Sequence, residues 1–335
     1  MVVPAAGLVL SALLPVLIGT AQPALTLRDP AIVESSGMAT SSYDKNLVLT
    51  HNDSGGRPEY FAVDTRSGKT VLRVPVPGAT NVDWEDIAVG GHTVYLADIG
   101  DNRATRSSVT IYAVPEARTA AQAAPARVTR LTYDDGPRDA EALLVPPGGQ
   151  PRYVVSKQLF GAGVYAIEGA RLRHVADLTA GLITGGSWSP DGTRIALVSY
   201  TGIFVYDAAA FPAGPAQRLA LPPLRQAESI TWSGNDAVLV GSEGVHSPVY
   251  RVAVPNAAAA TPAPVASPTP SETRTAPGTA TAPTPGATGA STGVGAARGR
   301  AGLPGSRSIA ALVVVAGLVA VAVARVRRRS RGGLG

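Results

Sequence analysis

The chain has 335 residues, of which 45% are hydrophobic and 16% charged, and it contains no cysteine. The lack of cysteine excludes disulfides, thiolate metal sites and a cysteine nucleophile. The net charge of +5 would suit a nucleic-acid partner only if the basic residues lay in the folded part. Residues 28–256 carry 20 Lys and Arg against 23 Asp and Glu, so we expect no nucleic-acid partner.

The N-terminal 21 residues are uncharged and mostly apolar. Gly19 and Ala21 suit the small-residue positions before a signal-peptidase site, so we predict a signal peptide over residues 1–21. No Lys or Arg precedes the apolar run, which departs from the usual signal peptide. The alternative is a buried N-terminal helix.

Residues 24–256 contain a repeated pattern of four short apolar runs, each repeat led by a polar marker. The markers are Glu34, Glu85, Glu141, Thr184 and Glu228, which lie 51, 56, 43 and 44 residues apart. In the first repeat Ser36 is the alternative to Glu34, if 38–39 is aligned with 87–88. Strands of this length at this period are typical of propeller blades. We therefore predict an all-β fold, a five-bladed β-propeller over residues 24–256. A two-sheet sandwich is the alternative, but it does not predict a marker in every repeat.

The last repeat lacks a fourth strand, and the run ALTLR at 24–28 precedes the first repeat. If this run pairs as the missing strand, the N-terminal strand closes the ring and no sheet edge stays exposed. The tryptophans Trp84, Trp188 and Trp232 lie on or beside first strands, and we expect them to pack between blades.

Three further segments follow the repeats. Residues 257–307 are almost entirely Ala, Pro, Thr, Ser and Gly, which predicts a disordered stalk. Residues 308–324 are uncharged and apolar, and the tail at 325–335 is rich in arginine. This pattern predicts one transmembrane helix with the propeller outside the cell and the C-terminus in the cytoplasm. The sequence LPGSR at 303–307 resembles a sortase signal but lacks its Thr and Gly.

In a propeller the first strands line the central channel, so the marker glutamates are expected to meet there. Like carboxylates repel at close range, and a bound cation would offset this repulsion. Calcium prefers oxygen ligands, so we predict a calcium site. Its candidate ligands are Glu34, Glu85, Asp98, Glu141 and Glu228. The alternative is that these glutamates cap strand amides and pair with neighbouring blades. Polar residues at the ends of second strands are candidates for ligand binding: Asn52, Asp53, Lys157 and Glu243.

Several short sequences carry a resemblance to a known group of proteins: THNDSGG (50–56), NVDWEDIAV (81–89), DIGDN (98–102), DAEALLV (139–145) and TGGSWSPDG (184–192). Together they resemble a family of actinobacterial exported, membrane-anchored propellers. The Glu-led inner strands more distantly resemble propeller phytases and calcium-dependent apyrases, whose channel glutamates hold calcium. That resemblance implies the fold and a calcium ion. The phosphate-binding basic residues of the phytases have no counterpart here beyond Lys157 and Arg103.

Two functions follow from these observations. The first is a monomeric, membrane-anchored surface propeller that binds an unknown extracellular ligand or protein, with calcium in its channel. The alternative is a calcium-dependent hydrolase of phosphoesters or phosphoanhydrides. The sequence contains no G-x-S-x-G nucleophile elbow, and it does not decide whether the protein is an enzyme.

Overall fold

The computed structural model describes residues 21–255. The chain divides into two units, Met1–Thr261 and Pro262–Gly335, and the described residues lie in the first unit. The expected signal peptide lies outside them except for residue 21, as do the expected stalk (257–307), transmembrane helix (308–324) and basic tail (325–335). No helix within residues 21–255 has the length and apolar character needed to cross a membrane.

Residues 21–255 form twenty strands and a single 3-10 turn at Ala120–Gln122. The strands are β1 (Ala21–Thr26), β2 (Ser35–Thr40), β3 (Leu47–Asn52), β4 (Glu59–Asp64), β5 (Thr70–Pro75), β6 (Trp84–Gly90), β7 (Thr93–Asp98), β8 (Val109–Pro115), β9 (Arg127–Tyr133), β10 (Ala140–Leu144), β11 (Tyr153–Ser156), β12 (Ala162–Glu168), β13 (Arg171–Leu178), β14 (Ile183–Trp188), β15 (Arg194–Ser199), β16 (Gly202–Asp207), β17 (Ala216–Leu219), β18 (Ala227–Trp232), β19 (Ala237–Ser242) and β20 (Pro248–Ala253).

These strands form antiparallel meanders in chain order. Three sheets have four strands each: β2 to β5, β14 to β17, and β18 to β20 with β1. The fourth sheet has eight strands because the meanders β6 to β9 and β10 to β13 are joined through their last strands. That junction is a parallel pairing of β13 with β9 over two residue pairs, Arg171 with Thr132 and Leu172 with Tyr133. The repeat pattern did not predict this pairing.

The first strands of the repeats (β2, β6, β10, β14 and β18) follow one another in a cycle. Each contacts the next, and β18 contacts β2. The N-terminal strand β1 pairs antiparallel with β20, as the sequence predicts, although it begins at Ala21 and ends at Thr26. Two packed sheets would not give this cyclic order, so the predicted all-β, propeller-like domain is confirmed.

The hydrophobic core consists of clusters between neighbouring repeats. The cluster that joins the last repeat to the first contains Leu239 and Val249 together with Met38 and Phe61. Trp84 and Trp232 are buried in two other clusters, whereas Trp188 is half-buried at the edge of a third. Because burial of apolar surface stabilises each contact between repeats, the ring is held by packing all the way round.

Gly37 in β2 shows how closely two first strands approach each other. Its φ is +90°, and a Cβ atom at this position would lie 2.8 Å from both Asp86 Cα and Ile87 N of β6. Only glycine adopts this conformation without strain and leaves the space that the neighbouring backbone fills.

We predict that Gly37→Ala lowers the free energy of unfolding by about 3 kcal/mol or more, because backbone strain and a backbone clash combine. The matched control is Gly78→Ala, which has a similar φ of +81° but no atom within 4 Å of its added Cβ. The control should lose only about 1–2 kcal/mol from strain. Urea unfolding of the full chain measures both variants, and equal losses would contradict the close approach of β2 and β6.

Candidate functional site

A β-bulge near the start of every first strand directs polar side chains into the channel. The strand register shifts at Ser35/Met38, Trp84/Asp86, Ala140/Ala142, Ile183/Gly185 and Ala227/Ser229. The residues skipped by these shifts are Ser36 with Gly37, Glu85, Glu141, Thr184 and Glu228, and their polar side chains are at most 1% exposed. A bulge leaves its extra residue unpaired and re-aims its side chain. The sequence markers therefore coincide with the bulges except in the first repeat, where Ser36 replaces Glu34.

Glu85, Asp53 and Asp83 form one carboxylate group, which we call the Asp83 group. One oxygen from each residue lies within 4.8 Å of the others. A Cβ atom at Gly100 would clash with Glu85 Oε1 and Asp83 Oδ2, so this glycine leaves the space that both oxygens approach. Glu85 Oε2 accepts a hydrogen bond from Ser36 Oγ at 3.2 Å, while buried Glu85 Oε1 has no hydrogen-bond partner among the described residues.

Asp53 also belongs to a second carboxylate group, the Glu243 group, with Glu34 and Glu243. This group brings together residues from the loop before β2, the end of β3 and the loop after β19. Asn52 fixes the loop before β2, because its Oδ1 accepts hydrogen bonds from the N–H groups of Val33 at 2.9 Å and Glu34 at 3.1 Å. The Asn52 side chain therefore bonds to backbone and does not join either carboxylate group.

Glu141 and Glu228 lie with a buried lysine in the channel. Lys157 Nζ is 2.5 Å from Glu141 Oε1 and 3.4 Å from Tyr200 OH. Tyr200 OH in turn donates to Glu228 Oε1 at 2.5 Å. Burial disfavours the charged lysine, but the carboxylates of Glu141 and Glu228 outweigh burial and raise the pKa of Lys157 well above its usual range. We call these four residues the lysine group.

Asp98 has a different environment from the one that the sequence predicts. Its Oδ1 lies 2.8 Å from Arg106 Nη1 and accepts the N–H of Asp83 at 3.2 Å. Burial raises the pKa of Asp98, and the Arg106 charge opposes that rise. Asp98 is not in either carboxylate group; Asp83, which the sequence analysis did not select, contributes to the Asp83 group instead.

Asp86 is a second channel residue that the sequence analysis missed. Its side chain is fully buried, with Oδ1 accepting the N–H of Ile87 at 2.9 Å and Oδ2 accepting that of Leu143 at 2.7 Å. The amide of Gly186 also bonds to this carboxylate. Asp86 therefore connects β6, β10 and β14. Burial raises its pKa well above the usual range, and the three amide donors oppose that rise.

The two ends of the channel differ in chemistry. The carboxylate groups lie where first strands begin and second strands end, which we call the acidic end. The opposite end opens into a cavity of about 250 Å³, and no ionisable side chain lines it; Met38, Leu143 and Trp188 are among its walls. The carboxylate groups of the channel therefore lie at the acidic end, away from this cavity.

We predict that Asp86→Asn lowers the free energy of unfolding by about 3 kcal/mol, because the new NH₂ group must face a backbone N–H donor in a buried site. Asp236→Asn is the control, since that side chain is 79% exposed and pairs with Arg251 on the surface. Its loss should stay within about 0.5 kcal/mol. Urea unfolding measures both, and a mild effect of Asp86→Asn would show that its amide bonds are dispensable.

We also predict that the cation-free domain loses stability as the pH rises. Burial, followed by the charges of Asp53, Glu141, Asp83 and Asp139, raises the pKa of Glu85 well above its usual value of 4.5. The folded domain thus keeps a proton that the unfolded chain releases, and the associated stability is lost as the pH rises from 4.5 through the raised pKa. In Glu85→Gln the loss of stability between pH 5 and pH 8 should be smaller. Unfolding of the chelator-treated proteins at these two pH values measures the loss. An unchanged decline in the variant would contradict the assignment to Glu85.

Comparison with known proteins bears on the fold. The lipoprotein LpqB beta-propeller domain family matches residues 63–296. No curated protein matches the chain. The similar solved structures include XC5397, a gluconolactonase from Xanthomonas campestris, with 13% identity, a TM-score of 0.42 and coverage of 71% of this chain and 98% of that chain. The expected actinobacterial origin stays a prediction. Because the family match spans more than half of the 335 residues, the chain belongs to the family of the lipoprotein LpqB beta-propeller domain.

Proposed function

We propose that this protein is a surface-anchored, five-bladed propeller that binds an extracellular ligand or partner at its acidic end. A calcium ion held by Asp53, Asp83 and Glu85 forms part of that binding site. The observation that carries the proposal is Glu85 Oε1, a buried carboxylate oxygen without a hydrogen-bond partner among the described residues, which faces the space beside Gly100.

The energetic argument for a cation starts from the cost of burying charge. An ionised carboxylate removed from water is unfavourable by several kcal/mol unless a partner offsets the loss. Asp53 and Glu85 are each 1% exposed, and their charges disfavour each other. A divalent cation between them would remove this repulsion and bind the otherwise unbonded Glu85 oxygen.

Calcium fits the donor set better than zinc does. Both carboxylate groups found in residues 21–255 consist of aspartate and glutamate alone. Calcium takes six to eight oxygen ligands, which carboxylates, backbone carbonyls and water supply, whereas zinc sites favour His and Cys. His51 lies two residues before Asp53, but it belongs to neither carboxylate group.

The loops at the acidic end support a role in binding. Five of the large exposed hydrophobic residues lie in these loops: Val33, Val82, Leu159, Phe160 and Val245. Phe160 is 88% exposed. The non-glycine residues with positive φ, Ala104, Leu182 and His246, are in loops at the same end. Exposed apolar groups and strained backbone are both common at binding sites, so we place ligand contact here.

Five blades are supported by the cyclic contacts of the first strands and by the pairing of β1 with β20. The eight-stranded sheet then contains two blades whose outer strands meet over two residue pairs. We further propose that residues 308–324 form the membrane anchor, with the propeller outside the cell and the C-terminus in the cytoplasm. The name of the family, a lipoprotein domain, supports a position at the cell surface.

A hydrolase of phosphate compounds is the weaker candidate. Such an enzyme would direct basic side chains towards an anionic substrate. At the acidic end Lys157 bonds to Glu141 and Tyr200, and Arg106 bonds to Asp98. These contacts favour binding over phosphate chemistry as the function of this end.

We predict that calcium stabilises the chelator-treated full chain. At calcium concentrations about 100-fold above Kd the gain is about 2.7 kcal/mol, or a Tm increase of about 5–10 °C. Glu85→Gln and Gly100→Ala should lose most of this increase, because one removes a charged ligand and the other fills the space beside it. Glu168→Gln is the control, since that residue is half exposed and pairs with Arg173 on the surface. The calcium site is refuted by an absent shift in the wild type or an equal shift in Glu85→Gln.

A further inference from the structure

The acidic end contains an internal cation in addition to its carboxylate groups. The side chain of Lys157 is 12% exposed, and its ammonium group lies between Glu141 Oε1 at 2.5 Å and Tyr200 OH at 3.4 Å. The same ammonium lies 5.3 Å from the centre of the Tyr200 ring. Tyr200 OH donates a hydrogen bond to Glu228, which also accepts one from Gln226 Nε2 at 2.7 Å.

These contacts resemble the surroundings of a bound metal ion. One carboxylate and a phenol oxygen contact the ammonium, and the phenol links it to the second carboxylate. An ammonium group and a metal ion offset carboxylate repulsion in the same way, through positive charge at short distance. We propose that Lys157 is a built-in cation that takes the place of a second calcium ion and limits the channel to one. This inference rests on the proposed function, because it takes the Asp83 group as the position of the first ion.

Charge balance explains why the lysine would fix the number of ions. Glu141 and Glu228 carry two negative charges, and Lys157 supplies one positive charge beside them. A divalent ion would have to displace the ammonium group, which is already bonded to both Glu141 and Tyr200. The net free energy gained by binding an ion there would therefore be small. In a Lys157→Met variant the carboxylates lose the ammonium, and the groups that remain are oxygen ligands of the kind that calcium prefers.

The test is calcium titration of the chelator-treated full chain by calorimetry, with bound calcium measured after desalting. We expect one ion in the wild type and two in Lys157→Met. The matched control is the double variant Lys157→Met/Glu141→Gln, which removes one carboxylate together with the ammonium and should return to one ion. Lys157→Arg retains the positive charge and should also bind one.

The outcomes separate this inference from the proposed function. No calcium in the wild type defeats the proposed function, whatever the variants do. One ion in both the wild type and folded Lys157→Met defeats only the role of the lysine. If Lys157→Met is unfolded in chelator and folds in calcium by circular dichroism, two ions bound to the folded variant support the inference and one ion contradicts it. If it stays unfolded in calcium, the inference is wrong, because calcium should restore the lost charge.

Discussion

The bulges of the first strands are the constraint on which the channel depends. In a regular strand Glu85 and Asp86 would point to opposite faces, but the register shift at Trp84/Asp86 allows both side chains to be buried in the channel. Asp86 uses this position to bond amides of β6, β10 and β14. Glu85 uses it to bond Ser36 and to approach Asp53 and Asp83. One local irregularity thus supplies both a structural carboxylate and a candidate ligand.

The channel offsets its concentrated negative charge by several local means. Backbone amides donate hydrogen bonds to Asp86. Arg106 pairs with Asp98, and Lys157 pairs with Glu141. In the Asp83 group, one oxygen of Glu85 is buried and lacks a hydrogen bond among the described residues. An external cation at this oxygen would supply the positive charge that Arg106 and Lys157 supply elsewhere in the channel.

Periodicity predicted much of this arrangement, and its limits have physical causes. Repeat spacing identified Glu85, Glu141 and Glu228 because a marker at the start of a first strand depends only on sequence order. In the first repeat it left both Glu34 and Ser36 open, and the bulge contains Ser36 together with an additional glycine at 37. Asp86 was missed because its direction depends on the bulge, and Asp83 because it lies in the loop before β6. The pairing of Asp98 with Arg106 and of β9 with β13 depends on tertiary contacts that no local pattern encodes.

Binding and ring closure share the residue Asp53, which lies directly after β3. The Asp83 group joins the first repeat to the second, and the Glu243 group joins the last repeat to the first. With no cysteine in the chain, these boundaries are held by β1 pairing and apolar packing, without covalent links. An ion bound at Asp53 and Glu85 would add a link between the first and second repeats. Ligand binding at the acidic end would then be coupled to the stability of the ring itself.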